Sequence, residues 1–287
     1  MSEVYLKNLK LVSKEDESLF FLNQRRTCYN TFYPFKIFPQ KEFEEVEFEP
    51  VTIFYGGNGS GKSTLLNIIA EMLNAFRHSA FNKSSFFLDY ISLCSISCER
   101  IQNGVHILTS DDVFDFMLNM RYLNDGIDLQ REELFKDWYG RKFAHFRLKS
   151  LADYDDWVDS CDAQNKSQSK YVKDRLMQNV NLGSNGESAM KYFVNHINEN
   201  ALYLLDEPEN SLALPIQKEL CKYISDSAKH FGCQFVIATH SPILLSMADA
   251  KIYDLDEDPV ITKKWTELDN VRQYFDFFEE HRDEFLK

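Results

Sequence analysis

Apolar and polar positions alternate along VYLKNLKLV (residues 4–12), the period-two mark of a half-buried strand. The stretch EFEEVEFEPVTIFYGG (42–57) reads as a strand pair or hairpin. Its second half, VTIFY (51–55), is apolar on both faces and suits a buried strand. The period then changes. In TLLNIIAEMLNAF, apolar side chains fall at 65, 66, 68, 69, 72, 73 and 76, the spacing of a buried helix. FLDYISL (87–93) and VHILTS (105–110) read as further strands, and DVFDFMLNMRYL (112–123) returns to helical spacing. A charged, aromatic-rich stretch follows, and then the polar AQNKSQSK (163–170), expected to be a mobile loop. Beyond it come a glycine-bearing loop (182–186), a helix, the strand ALYLLDE (201–207), another helix and the strand QFVIATH (234–240). The closing VRQYFDFFEEHRDEFLK (271–287) is patterned as an amphipathic helix.

Strands alternating with helices predict an α/β fold, a central sheet flanked by helices. The change of character between about 112 and 180 predicts a mostly helical lobe inserted into a single domain that spans 1–287. Its aromatic and charged content reads equally as a partner surface and as the packing of the lobe itself. No internal repeat of 20–50 residues interrupts this pattern.

Composition narrows the function classes. No run of eighteen apolar residues occurs, which excludes a membrane-spanning helix on sequence grounds. The first residues lack the apolar core of a secretory leader, so the chain is expected in the cytoplasm. Cysteines 28, 94, 98, 161, 221 and 233 form no CxxC pair and no zinc pattern; they read as reduced thiols. The net charge of −13 disfavours general nucleic-acid binding, which runs on Lys and Arg neutralising phosphates. A basic groove made by an assembly is still compatible with that sum.

The candidate chemistry begins at Gly56-Gly57-Asn58-Gly59-Ser60-Gly61-Lys62-Ser63, which fits G-x-x-x-x-G-K-[ST] between a strand and a helix. Glycines let successive backbone N–H groups face phosphate oxygens, and the helix N-terminus adds partial positive charge. Lys62 is expected to reach the β- and γ-phosphates, and Ser63 to ligate Mg²⁺. ALYLLDEPE supplies the acidic element: Asp206 at a strand end to hold the metal, Glu207 to polarise an attacking water. That pair points to NTP hydrolysis rather than a kinase. FVIATHSP ends a later strand at His240, whose N–H is expected to reach the γ-phosphate from the same sheet edge. In LGSNGES, Ser184, Asn185 and Gly186 form a turn and Glu187 opens a helix. The segment reads as a plain helix cap, or as a second phosphate surface that two chains packed head to tail bring to one nucleotide.

The ordered set GGNGSGKST, LGSNGES, YLLDEPE and ATHSP resembles the ABC-class ATPases. It is similar above all to their small soluble members, the AAA-family type of ATPase near the RecF and structural-maintenance-of-chromosomes heads. The flanking YPFKIF (33–38) and QFVIATHSPILLSMADAKIYDLDED match that branch too, so the resemblance covers roughly 30–110 and 180–287. It implies a P-loop NTPase of the ABC-head type with a mixed sheet, and it implies ATP and Mg²⁺ as ligands, with Thr64 joining Gly56–Ser63 in nucleotide binding. It further implies a homodimer formed on ATP binding, in which Ser184, Asn185, Gly186 and Glu187 act on the partner's nucleotide. Such an ATPase drives a protein effector, or a nucleic-acid complex reached through an assembly, in DNA maintenance or anti-phage defence. The alternative is the ATP-binding motor of a membrane transporter. The sequence departs from the family in three places: Glu stands for Gln in the signature, Asp111-Asp112 stands where a metal-contacting Q-loop glutamine is expected, either Asp being a candidate substitute, and Asn210-Ser211-Leu212-Ala213 lacks the D-loop Asp.

Overall fold

The computed structural model describes residues 4–25, 28–144, 153–180, 185–210 and 212–286. It divides into two compact units, Met1–Phe114 with Ala189–Lys287, and Asp115–Ser188.

The larger unit carries two sheets. A three-stranded antiparallel sheet has the order β2 (Glu45–Glu47), β1 (Leu6–Lys10), β4 (Ser95–Cys98). A six-stranded sheet runs β5 (Val105–Thr109), β6 (Leu202–Asp206), β7 (Gln234–Ala238), β3 (Val51–Tyr55), β8 (Lys251–Asp254), β9 (Ile261–Thr262). All its pairings are parallel except β8 with β9. Its central strands are buried on both faces, as their unbroken apolar runs require.

The helices of this unit are α1 (Lys14–Asn23), α2 (Lys62–Met72), α3 (Phe87–Leu93) and the start of α4 (Ser110–Lys142). Then follow most of α7 (Asn185–His196), α8 (Leu214–His230), α9 (Pro242–Leu245), α10 (Asp269–Glu280) and α11 (Arg282–Phe285). α2 packs on β5, β6 and β7 through Leu65, Leu66, Ile68 and Ile69, all fully buried. The smaller unit holds the rest of α4, α5 (Tyr154–Asn165) and α6 (Gln168–Lys173). Ala163, Tyr171 and Val172 centre its own apolar core against Leu134, Phe135, Trp138 and Leu176.

Three expectations are corrected. FLDYISL is helix α3: Phe87 and Tyr90, three apart, are fully buried while Leu88 between them is exposed, a helical rather than an alternating pattern. The stretch 42–57 is no hairpin, because β2 pairs with β1 whereas β3 enters the large sheet between β7 and β8. AQNKSQSK is not a loop. Ala163–Asn165 end α5, Ser167 caps α6, and Lys166 bridges Asp162 at 2.8 Å and Asp174 at 3.0 Å.

Candidate functional site

The parallel register decides which residues meet. Thr109 lies beside Asp206, Asp206 beside Ala238, and Ala238 beside Phe54. The chain segments leaving β3, β6 and β7 therefore emerge on one edge, where ligands collect in open α/β sheets. Those segments are the glycine-rich loop, Glu207 and Thr239-His240.

The loop itself is built for close approach. Gly61 has φ +107°, and a Cβ there would lie 3.1 Å from the Phe38 ring and 3.2 Å from Ile37. A Cβ on Gly56 would meet Ser60 Oγ at 2.5 Å. Lys62, 4% exposed at its side chain, donates to the Gly56 carbonyl at 2.7 Å and the Gly57 carbonyl at 3.0 Å. Its ammonium thus bridges the loop from within. A cavity of about 430 Å³ opens here, lined by residues 58–64, Tyr33, Ile37 and Glu207. The Ser60 hydroxyl is buried without a hydrogen-bond partner.

These features fit a bound polyphosphate: a cradle that side chains would fill, an ammonium, and an orphaned hydroxyl. The metal test is also met. Ser63 Oγ donates to Asp206 Oδ1 at 3.0 Å. Adjacent ligands of an octahedral Mg²⁺ with bonds near 2.1 Å stand about 3 Å apart, so both hard oxygens are spaced to bind one ion. Burial, with the neighbouring Glu207 adding to it, pushes the Asp206 carboxyl up to about 6. A cation at that place would relieve the burden of a desolvated charge.

Glu207 is the residue on which the site converges. Its φ of +47° is rare for a non-glycine residue and turns its side chain off the strand end. Its N–H donates to the Ala238 carbonyl at 2.9 Å, which locks that turn. Glu207 Oε1 lies 3.9 Å from Lys62 Nζ and 3.7 Å from His240 Nδ1, and Oε2 accepts from Asn210 Nδ2 at 3.0 Å. The structure thus brings Lys62, Ser63, Asp206, Glu207 and His240 together.

The signature residues belong to the other unit. Ser184 lies outside the described residues, as do Gly183 and Ser211. Asn185 starts α7 and accepts from Arg121 at 2.9 Å; Gly186 is buried and Glu187 exposed. Of the two Q-loop candidates, Asp111 is exposed and Asp112 closes the start of α4. Asp112 Oδ2 accepts from Thr109 N at 2.8 Å, while Thr109 Oγ1 accepts from Asp112 N at 3.2 Å, a reciprocal cap.

Sequence reasoning missed four residues. Glu209 is 6% exposed, and its Oε1 accepts from Thr239 Oγ1 at 2.5 Å, His240 N at 3.1 Å and Ser241 N at 3.2 Å. It fixes the backbone that carries His240. Asp256 accepts from Gly57 N at 2.7 Å, and Lys41 joins the Ser60 carbonyl, at 3.1 Å, to that of Leu255. Tyr33 donates to Thr64 Oγ1 at 3.0 Å, and burial raises its phenol above the usual range. The one available signal was a third carboxylate in LLDEPE, set back from the metal-binding position.

The family model described as ABC transporter matches residues 45–210. In fold the chain is similar to the Smc head domain with an extended coiled coil bound to the C-terminal domain of ScpA, derived from Pyrococcus furiosus. That match has 13% identity and a TM-score of 0.44 over 97% of this chain and 99% of that chain. It is also similar to the SMC head domain from Thermotoga maritima, with 14% identity and a TM-score of 0.40 over 91% and 99% of the two chains. A third similar structure is cbiO1 from Clostridium perfringens, part of the ABC transporter complex cbiONQ, with 16% identity and a TM-score of 0.34 over 82% and 85%. No curated protein sequence gives a match.

Proposed function

The chain belongs to the ABC transporter family of ATP-binding domains, and from that premise we propose that it hydrolyses ATP as a dimerising switch for a partner protein. The observation that carries this reading is the meeting of Lys62 and His240 on one carboxylate oxygen of Glu207, at 3.9 and 3.7 Å. In a mechanism of this kind, the loop amides and Lys62 bind the phosphates, the ammonium leaving the Gly56 and Gly57 carbonyls for phosphate oxygens. Glu207, held by Asn210, orients a water and takes its proton as the water oxygen bonds to the terminal phosphorus and the bond from that phosphorus to the bridging oxygen breaks, ADP leaving with that oxygen. His240 stabilises charge on the departing phosphate. Ser63 and Asp206 would hold Mg²⁺, which when bound supplies charge neutralisation on the phosphate oxygens.

The second half of the switch is contributed in trans. Ser184, Asn185, Gly186 and Glu187 of a second copy close over the nucleotide, so ATP favours the dimer and hydrolysis releases it. The segment 112–180 is proposed as the lobe inserted in a single ATPase domain. With a net charge of −13, the driven effector is proposed to be a protein, with any DNA or RNA reached through it. A role in DNA maintenance or anti-phage defence is compatible with such an effector.

The test pairs phosphate release with light scattering. Glu207→Gln is expected to bind ATP, accumulate as a dimer and release no phosphate. Turnover at the wild-type rate, or a monomer with ATP bound, overturns the reading. The family's name supports a second reading, a transporter's motor subunit. Among the described residues no helix is long and apolar enough to cross a membrane, and fractionation of native cells tests that reading.

A further inference from the structure

The cavity at the glycine-rich loop has a wall that comes from elsewhere in the chain. Tyr33 and Ile37, from the segment between α1 and β2, line it together with residues 58–64. Tyr33 is well anchored. Its carbonyl accepts from Ser84 Oγ, and its ring lies 5.9 Å from that of Phe87 on α3. Its hydroxyl then donates to Thr64 Oγ1 at 3.0 Å.

Thr64 is the third residue of α2, in the turn whose N–H groups have no acceptor within the helix. It lines the cavity, yet it is only 8% exposed. A threonine hydroxyl carries one proton and two lone pairs. Tyr33 fills one lone pair, so the Thr64 proton does not point back at Tyr33. Among the described residues the Thr64 hydroxyl makes no other hydrogen bond, which leaves its proton for a ligand. An anion at the helix N-terminus would accept it. Accepting from Tyr33 also polarises the Thr64 hydroxyl and strengthens it as a donor. Burial raises the Tyr33 phenol above its usual range, so the phenol keeps its proton at neutral pH.

We propose that Tyr33 is a positioning residue for a polyphosphate: it aligns the Thr64 hydroxyl to donate to a phosphate oxygen, and its own hydroxyl acts on the ligand only through Thr64. This rests on the reading of residues 56–64 as a phosphate cradle. It gives YPFKIF (33–38) a role in the site, as a brace on the first turn of α2.

Isothermal titration of the full chain tests this, with two probes in the presence of Mg²⁺. One is the β,γ-imido analogue of ATP; the other is tripolyphosphate, which lacks base and sugar. Tyr33→Phe keeps the ring against Phe87 and removes only the hydroxyl. It should weaken both probes about fivefold, the worth of one hydrogen bond. Thr64→Val keeps the side-chain shape and should weaken both about tenfold. Adding Tyr33→Phe to Thr64→Val should cost no more than about twofold further, because the group it acts on is gone. The same fivefold loss in both backgrounds means that the phenol acts on the ligand directly or on the fold at large, and overturns the proposal. A loss confined to the ATP analogue assigns the phenol to base or sugar and has the same effect, as does wild-type affinity in Tyr33→Phe. Steady-state hydrolysis separates this from the ATPase reading. A chain that turns over ATP but shows additive losses keeps that reading and loses the positioning role. A chain that binds tripolyphosphate with the expected coupling but hydrolyses nothing keeps the role and refutes the reading. A wild-type chain that binds neither probe overturns both.

Discussion

Replacing Glu209 by alanine removes one buried acceptor that serves three donors. Thr239 Oγ1, His240 N and Ser241 N all point at Oε1, at 2.5, 3.1 and 3.2 Å. The losses are unequal. Ser241 N keeps Thr239 Oγ1 as an acceptor at 3.0 Å, and the Thr239 hydroxyl is free to rotate. His240 N has no such second acceptor among the described residues. A fully buried stranded donor costs about 1–3 kcal/mol, the part-buried His240 N–H less, and the charge-assisted bonds lost with it about 1.5–3 kcal/mol each. Against this, Oε2 is buried without a hydrogen-bond partner, so deleting the carboxylate returns part of its desolvation cost. The net expectation is a destabilisation of about 2–4 kcal/mol for Glu209→Ala. Glu209→Gln keeps a neutral acceptor and should cost about 1 kcal/mol. Urea denaturation measures both. In steady-state ATP hydrolysis, release of the His240 backbone should lower kcat by about tenfold or more, since small misplacements of catalytic groups are costly. ATP affinity should stay within about threefold, because Lys62 and the loop amides are untouched. An alanine variant with the wild-type urea midpoint and kcat would refute the assignment of Glu209 as the positioning residue for His240.

Gly61→Ala places a Cβ against Phe38 and Ile37 at φ +107°; it should cost about 1–3 kcal/mol and weaken binding of a fluorescent ATP analogue about tenfold or more. Wild-type affinity would show the loop tolerates the side chain. In the metal-free protein, Asp206 carries a folded-state pKa raised to about 6. The stability it contributes is therefore present below about pH 4 and lost as pH rises through about 6, a change of about 3 kcal/mol. Urea midpoints of wild type should fall relative to Asp206→Asn over that range, and parallel curves would contradict it. Burial pushes the Cys94 thiol up to about 12 and Cys221 to about 11, and Cys233 is buried, whereas Cys28 is exposed. A thiol reagent at mildly alkaline pH should label Cys28 first and the other three only on unfolding, as peptide mass mapping will report. Native labelling of Cys94 at the rate of Cys28 would contradict the packing of α3.

Local chemistry was legible in the chain because it needs no distant partner. A glycine-rich loop between an apolar strand and a buried helix carries its own requirement for N–H groups and a lysine, and that requirement is written in consecutive residues. Asp206-Glu207 and His240 were legible for a related reason: each closes a buried strand, and parallel strands deliver their ends to one edge. FLDYISL was not, since seven apolar-rich residues fit either period, and the core that buries Phe87 and Tyr90 made the choice. Glu45–Glu47 and Val51–Tyr55 went to different sheets because strand partners come from residues remote in sequence. AQNKSQSK looked like loop by polarity, but ion pairs from Asp162 and Asp174 to Lys166 hold it in helical turns.

The sequence by itself determined the candidate phosphate-binding loop and the strand ends that carry Asp206, Glu207 and His240, as these are properties of neighbouring residues. Only the tertiary structure decided how that chemistry is held. Glu209 grips a segment some thirty residues on, Asp256 and Lys41 brace the glycine-rich loop from the turn after β8 and from the segment before β2, and α10 leaves its aromatic face open. Such contacts depend on which surfaces the fold brings together, and no local pattern encodes them.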